Sequence, residues 1–342
     1  MRGRELFQGK ATCADCHSLN GAGGRTASDL ATLVTRDYAS TREAVAGAHP
    51  RSASPPAGDL LETLKAAEQR DLFTYLLQPP FAAAPLERPN PPVLRTKQEV
   101  AELLQAVVAP APEELKPLKL VLCAGPKDHG AGEHDYPHWQ KRWGRLLAMA
   151  DGVTVSTAWN WPSEEQWASA DVILFYFANP NWNAATAPQF DAFLARGGGA
   201  VFFHGSINGH KDFEALASQV GLVFRDGASR TRHGQVDLAL QPHPLTQGLK
   251  PFGIFDESYW NLGGDPARIQ VVASGVEEGA ARPLLWTRED GPGRVFVSTS
   301  GHFTWTYDDP LFRMLAFRGI CWAAHQPMDR LAPLVTVGAR ME

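Results

Sequence analysis

Cysteine is scarce in this chain, four residues in 342: Cys13, Cys16, Cys123 and Cys321. So few, so unevenly spaced, do not describe a disulfide framework, and a chain of this length buries a sizeable core without one. Long apolar runs are missing too, none approaching the roughly 20 residues that cross a bilayer. Nor is there an excess of positive charge, with 32 Lys and Arg against 37 Asp and Glu. A membrane span and a nucleic-acid partner, which needs a basic surface for its phosphates, both fall away. Behind the opening MRGRELFQGK lies no apolar stretch of the roughly 7–15 residues that a secretory signal needs. There is no G-x-G-x-x-G, Walker loop or G-x-S-x-G to support dinucleotide, nucleoside-triphosphate or elbow-serine chemistry. What is there is ordinary globular material, 44% hydrophobic and 20% charged, long enough for about two domains of roughly 150 residues.

Along the chain the pattern changes once. Residues 1–78 read as short helical pieces: RELFQGK, a glycine-rich loop at Asn20–Gly24, DLATLVTRDYASTREAVAG, and LLETLKAAEQRDLFTYLLQ with apolar residues at i, i+3 and i+4. Residues 78–92, QPPFAAAPLERPNPP, are dense in proline, which removes backbone donors and favours an extended spacer. This linker and a short helix at Lys97–Val108 occupy residues 79–117. Beyond it LKLVLCAG, GVTVSTAW, DVILFYF and GAVFFHG are short apolar runs rich in β-branched residues, with helical stretches at Trp139–Ala150, Pro162–Ala168 and Ala187–Arg196 between them. Such alternation predicts βαβ crossovers and a mostly parallel sheet covered on both faces. QVDLAL, IQVVAS, RPLLWT and RVFVSTS add strands before a closing helix in DPLFRMLAFRGICWAAH. The predicted fold class is multidomain: an all-α module at 1–78, an α/β domain at 118–326 and a tail at 327–342.

One motif carries its own mechanism. In Cys13-Ala14-Asp15-Cys16-His17 two thiols on one turn add to the vinyl groups of a haem, while the adjacent histidine supplies the proximal iron ligand. A thioredoxin-like pair would follow a strand, and this one follows a short helix; a zinc site would need a second ligand pair. Residues 4–78 resemble a small cytochrome c domain of the planctomycete type, through GRELFQGKATCADCHSLNGAGG and AGDLLETLKAAEQRDLFTYLLQ. The resemblance implies covalent haem c on Cys13 and Cys16, His17 on the iron, electron transfer and a redox partner protein. It usually brings a methionine and a proline just before the last helix as distal ligand, but here that stretch reads Ser54-Pro55-Pro56-Ala57-Gly58. The sixth iron position then falls to His49 or stays open, and the high potential of Met ligation is not expected.

Ligands of α/β sheets gather at the carboxyl ends of strands. There the sequence places Asp128-His129, Glu133-His134-Asp135-Tyr136-Pro137-His138, His204-Gly205-Ser206 with His210 beyond, His233, His243, Asp256-Glu257-Ser258-Tyr259 and Ser300-Gly301-His302. One strand-end histidine is usually structural; several together point to a polar pocket. Through GGGAVFFHGS, DESYW and GRVFVSTSGHFTWTYDDPLFRMLAFRGICWAA, residues Leu118 to His325 resemble the ThuA-like (trehalose-utilisation) family, a branch of the class I glutamine-amidotransferase-like fold. An amidotransferase needs a cysteine nucleophile on the turn after a central strand. That turn here is Phe203-His204-Gly205-Ser206, so glutaminase chemistry is not expected, and Cys123 and Cys321 read as small buried hydrophobes.

The ThuA-like resemblance implies a carbohydrate substrate, in pathways that first oxidise a glycoside at C3. A 3-keto group acidifies the neighbouring C–H, so a positioned base forms an enediolate that isomerises or expels the C1 substituent. His204 and Glu257 are the acid/base candidates, and His134 and His302 are placed to polarise or orient the keto sugar. A divalent metal held by some of these four would supply the same electrophile. Trp159, Trp161, Trp182, Trp260 and Trp305 are candidates for stacking on sugar faces. The expected activity is that of a 3-keto-glycoside isomerase or lyase/hydrolase. The alternative is a non-enzymatic carbohydrate-binding module carrying an electron-transfer or sensor haem. Convergence of the four side chains favours catalysis, and scatter favours binding. Haem attachment implies a periplasmic or extracytoplasmic location.

Overall fold

The computed structural model describes residues 2–19, 22–23, 30, 63–77, 91–111, 114–178, 182–183, 185–209 and 212–342. Two compact units are present, one built around the first 83 residues and a larger one holding the main sheet. In the first, helices Arg2–Gln8 and Ala66–Leu77 close over Leu6, Phe7, Ala11, Leu19, Leu64, Leu72, Phe73 and Leu76. Helix Cys13–Cys16 leads into a two-residue antiparallel pair, β1 (Ser18–Leu19) with β2 (Ala22–Gly23). Lys10 and Glu68 meet at 2.8 Å on the surface.

The strands of the larger unit follow in chain order. They are β3 (Leu118–Ala124), β4 (Val153–Trp159), β5 (Val172–Tyr176), β6 (Gly199–Phe203), β7 (Leu222–Val223), β8 (Arg230–Leu240) and β9 (Phe252–Trp260). Then come β10 (Gly263–Gly264), β11 (Gln270–Glu277), β12 (Ala280–Asp290) and β13 (Gly293–Ser298). Nine of them form one sheet in the order β4-β3-β5-β6-β13-β12-β11-β8-β9. β3, β5, β6 and β13 pair in parallel, and β5 and β6 are buried along their whole length, as continuous apolar runs in a doubly covered sheet should be. β4 alternates buried and exposed residues, as an edge strand does. The expected parallel sheet is thus only half of the whole: β13 to β12, β12 to β11, β11 to β8 and β8 to β9 are all antiparallel. Tight hairpins force the reversal between β11 and β12, at Glu278-Gly279 where both residues have positive φ, and between β12 and β13.

Two features of this half set up the site. β8 touches β11 only through Leu240 and Ala239, while Arg230 to Leu238 pair along β9. The β8–β9 ribbon is thereby free of the sheet over most of its length. Second, helix Pro310–Ala323, capped by Asp309 with Pro310 at its first position, is buried on every side. Gly319 lets it lie directly on the Phe296 ring of β13. Its outer side is closed by the chain ends of the unit: Arg318 pairs with Asp329 at 2.6 Å, and Arg95 pairs with Asp309 at 2.7 Å just ahead of helix Lys97–Leu104.

Candidate active site

The strands of the parallel half end in three segments that meet. After β3 the chain runs through Asp128 to His134; β6 stops at Phe203, and His204 begins a tight 3-10 turn; after β13 comes Ser300-Gly301-His302. Backbone bonds tie the first and last together: His134 N–H donates to the His302 carbonyl at 2.9 Å, and Thr304 N–H to that of Gly132 at 2.9 Å. Gly301 has φ +133, and a Cβ there would run into the Tyr307 hydroxyl. Asp256, fully buried on β9, accepts from the N–H groups of Gly301 at 2.8 Å, His302 at 3.0 Å and Glu257 at 2.7 Å. That carboxylate holds the His302 loop against β9 and brings Glu257 over the strand ends.

His134, His204, Glu257 and His302 therefore converge, all buried, with one ligand atom from each inside a common 4.8 Å span. His204 Nε2 lies 2.9 Å from His134 Nε2, 3.2 Å from Glu257 Oε2 and 3.3 Å from His302 Nδ1, and the last two atoms are 2.9 Å apart. His134 and His204 both hold left-handed backbone, φ 42 and φ 46, which costs a non-glycine residue about 1–3 kcal/mol and is typical of functional positions.

The outward nitrogens decide what faces inward. His204 Nδ1 donates to the Thr299 carbonyl at 2.6 Å, His134 Nδ1 to Asp128 Oδ1 at 2.8 Å and His302 Nε2 to Glu133 Oε1 at 3.0 Å. Carbonyl and carboxylate oxygens only accept, so each neutral ring presents a lone pair to the centre. Burial pulls the His134 imidazole down to about 3, keeping it neutral. For Glu257 burial pushes upward, but the imidazoles of His204 and His302, 3.2 and 2.9 Å away, outweigh it in their protonated forms and hold the carboxyl far below the usual range. His302 moves the opposite way, raised by Glu257 and Glu133 against the effect of its burial. With all three rings neutral, three lone pairs and a carboxylate would repel, and either a proton on His302, which Glu257 and Glu133 favour, or a metal cation relieves them. Ligands about 2.1 Å from one ion stand about 3.0 Å apart at a right angle and about 3.4 Å apart at the tetrahedral angle. The separations of 2.9–3.3 Å lie within or just below that range, and outward bonds to carboxylates and carbonyls are how metal-bound histidines are held. An imidazole-rich set suits a first-row transition ion better than magnesium or calcium.

Around this centre lie residues to which the sequence assigned no role. Tyr259 stacks on His204, with centroids 4.6 Å apart and its hydroxyl 3.0 Å from Nε2; Tyr136 donates to Asp128 Oδ2 at 3.1 Å. Burial keeps both phenols protonated far above neutrality. Thr231 donates to Glu257 Oε1, and His233 stands 3.5 Å from the same oxygen. Asp128, Tyr136, His233 and Tyr259 were legible only as members of the polar cluster, without individual roles, and Thr231 not at all.

Other candidates lie elsewhere. His243 caps a short turn and donates to Thr287, and His325 bonds the Pro292 carbonyl. Ser206 is buried with its hydroxyl donated to the Phe203 carbonyl, so it is no nucleophile. Cys123 and Cys321 are buried, and the Cys321 thiol is pushed up to about 12. Trp182, Trp260 and Trp305 are packed inside, Trp161 lies against Trp167 and Trp182, and Trp159 is half exposed. His210 and His49, the latter the distal iron candidate, fall outside the described residues.

In the first unit Cys13 and Cys16 share one helical turn, neither in a disulfide, and His17 N–H closes the turn onto the Cys13 carbonyl at 2.9 Å. Burial raises the Cys13 thiol to about 11, the opposite of what a redox dithiol needs. Its packing against the apolar cluster suits the edge of a haem.

A helical unit with C-x-x-C-H, and an α/β unit whose strand ends carry a His/Glu centre, define a two-domain cofactor protein. The ThuA (trehalose utilisation) profile matches residues 128–323, more than half of the chain, and the cytochrome c profile matches residues 1–79. The chain belongs to the ThuA family and carries a cytochrome c domain, a family that implies haem, ahead of the ThuA domain. No curated protein matches it. Similar solved structures include a ThuA-like protein from Parabacteroides merdae, 20% identical over 61% of this chain and 90% of that one, with TM-score 0.48. Another from Bacteroides uniformis is 20% identical over 63% and 94%, with TM-score 0.46. A β-galactosidase from Rahnella sp. R3 is 14% identical over 61% and 32%, with TM-score 0.44. Among the described residues no helix is long and apolar enough to cross a membrane.

Proposed function

We propose that the ThuA domain removes the proton next to the carbonyl of an oxidised sugar, a 3-keto glycoside, using a divalent transition ion held by His134, His204, Glu257 and His302. The observation that carries this reading is the convergence of three imidazoles, each with an outward hydrogen-bond partner, and one carboxylate. A bound ion would supply positive charge for the oxyanion that develops as the proton leaves. The family's description, trehalose utilisation, supports a carbohydrate substrate. Asp256 keeps His302 and Glu257 in place, and the Tyr259 hydroxyl offers a donor on the buried side of the centre. His204 and Glu257 serve as ligands in this reading, which leaves the base to another group. The cytochrome c domain carries haem c on Cys13 and Cys16, with His17 on the iron, and exchanges electrons with a redox partner protein. The location that suits covalent haem is the periplasm or another extracytoplasmic compartment.

Solvent deuterium exchange into a 3-keto glycoside tests the reading, with haem-loaded protein before and after chelation. Incorporation beside the carbonyl, lost on chelation and restored by zinc, manganese or cobalt, is expected. No incorporation into several 3-keto sugars would return the domain to a carbohydrate-binding role.

A further inference from the structure

We propose that His129 is the base of this site, oriented by Asp128; the assignment rests on the enolising reading above. If the four converging side chains are ligands, their lone pairs are committed and none is left to take a proton. Among the described residues beside them, Glu133 accepts from His302 at 3.0 Å and His233 faces Glu257 at 3.5 Å, so both already serve a ligand. Tyr259 is buried, stacked on the His204 ring with its hydroxyl 3.0 Å from Nε2, and so is turned away from solvent.

His233 also stands beside the set, its ring 4.6 Å from that of His302 and its side chain 40% exposed, but the carboxylate it faces is the ligand Glu257; His129 combines three features. Its ring lies against the ligand set, with centroids 3.7 Å from that of His134 and 5.5 Å from that of His302. Its side chain is 46% exposed, whereas the four ligand side chains are at most 11% exposed, so it stands on the solvent side of the centre. Its Nδ1–H donates to Asp128 Oδ1 at 2.9 Å, which leaves the lone pair on Nε2. The same oxygen accepts from His134 Nδ1 at 2.8 Å, so one carboxylate sets both a ligand and the base, fixing their separation. The carboxyl is tied down by Tyr136 as well. An aspartate behind Nδ1 keeps the imidazole in the tautomer that accepts at Nε2 and stabilises the cation formed there.

In the step, the C–H electron pair moves into the neighbouring carbonyl to give an enediolate, and the proton goes to His129 Nε2. Returning it to the adjacent carbon completes an isomerisation. Loss of the C1 substituent with its bonding pair completes an elimination, the proton then passing to the leaving oxygen. No oxidant or reductant is consumed.

The test compares the unsubstituted full chain with His129→Ala and His129→Gln, each loaded with haem and cobalt. His129→Ala is expected to keep one cobalt by metal analysis, because the proposed ligands are His134, His204, Glu257 and His302. Its exchange should fall about 100-fold or more and be partly restored by added imidazole, which a structural role would not allow. His129→Gln should lose exchange without rescue. Exchange within about threefold of the unsubstituted protein in both variants, or loss of cobalt from them, overturns the assignment alone. Absence of exchange in the unsubstituted protein overturns the enolising reading and the assignment together.

Discussion

Replacing Asp128 by Asn separates a carboxylate that orients a metal ligand from one that merely fills space. Asp128 Oδ1 accepts from His134 Nδ1 at 2.8 Å and from His129 at 2.9 Å, and Oδ2 accepts from Tyr136 at 3.1 Å. Asparagine keeps one acceptor oxygen for the two imidazoles, and its NH2 donates to the Tyr136 oxygen, so the shape survives and the charge does not. A hydrogen bond to an ionised acceptor is worth about 1.5–3 kcal/mol and a neutral one about 0.5–1.5 kcal/mol. The variant therefore loses about 1–1.5 kcal/mol of orientation at His134, which is about tenfold in metal affinity, within the tenfold to hundredfold range of about that size for outer-shell partners. Competition against a chromophoric chelator with zinc or cobalt, on haem-loaded protein, reads this directly. Asp128→Ala, which removes both acceptor oxygens, should lose more. The unsubstituted protein and Asp128→Asn binding within twofold of each other, while Glu257→Ala loses the metal, would refute the claim that His134 is held in its tautomer by Asp128.

His204→Ala should abolish metal binding and turnover and leave the far-ultraviolet circular dichroism unchanged; full activity would remove His204 from the site. Gly301→Ala places a methyl against the Tyr307 hydroxyl at φ +133 and should cost about 1–3 kcal/mol, a fall in Tm of about 3–10 °C by scanning calorimetry, with weaker metal binding because His302 follows directly. His243 is buried with its value held below the ordinary 6.5, accepting from Leu245 N–H and donating to Thr287. Its contribution to stability is therefore complete above pH about 6.5 and lost as pH falls toward the lower folded value, so His243→Gln should flatten denaturant midpoints measured from pH 7 to pH 5. Cys13→Ser with Cys16→Ser should render the haem extractable into acidified acetone, and retention of the colour would refute covalent attachment.

The fold was legible where local pattern and burial coincide. The runs at LKLVLCA, VILFY and GAVFF are apolar throughout because both faces of those strands are covered, and the helix Pro310–Ala323 announces itself through Asp309 and Pro310. The C-x-x-C-H motif was equally plain, because two thiols and a histidine on one turn need no distant partner. His134, His204 and His302 could be singled out by their places beyond strand ends, since parallel connectivity sends those ends to one edge; Glu257, expected after a strand, lies inside antiparallel β9. What the linear order does not contain is which atom of each faces which. Only the tertiary structure turns the β8–β9 ribbon off the sheet to lay Glu257 beside His204 and His302. It likewise sets Asp128, Thr299 and Glu133 behind the three rings. A hydrogen bond between groups 95 or 169 residues apart leaves no periodic trace in a chain, yet it fixes the tautomer, and the tautomer decides that the centre is a set of lone pairs.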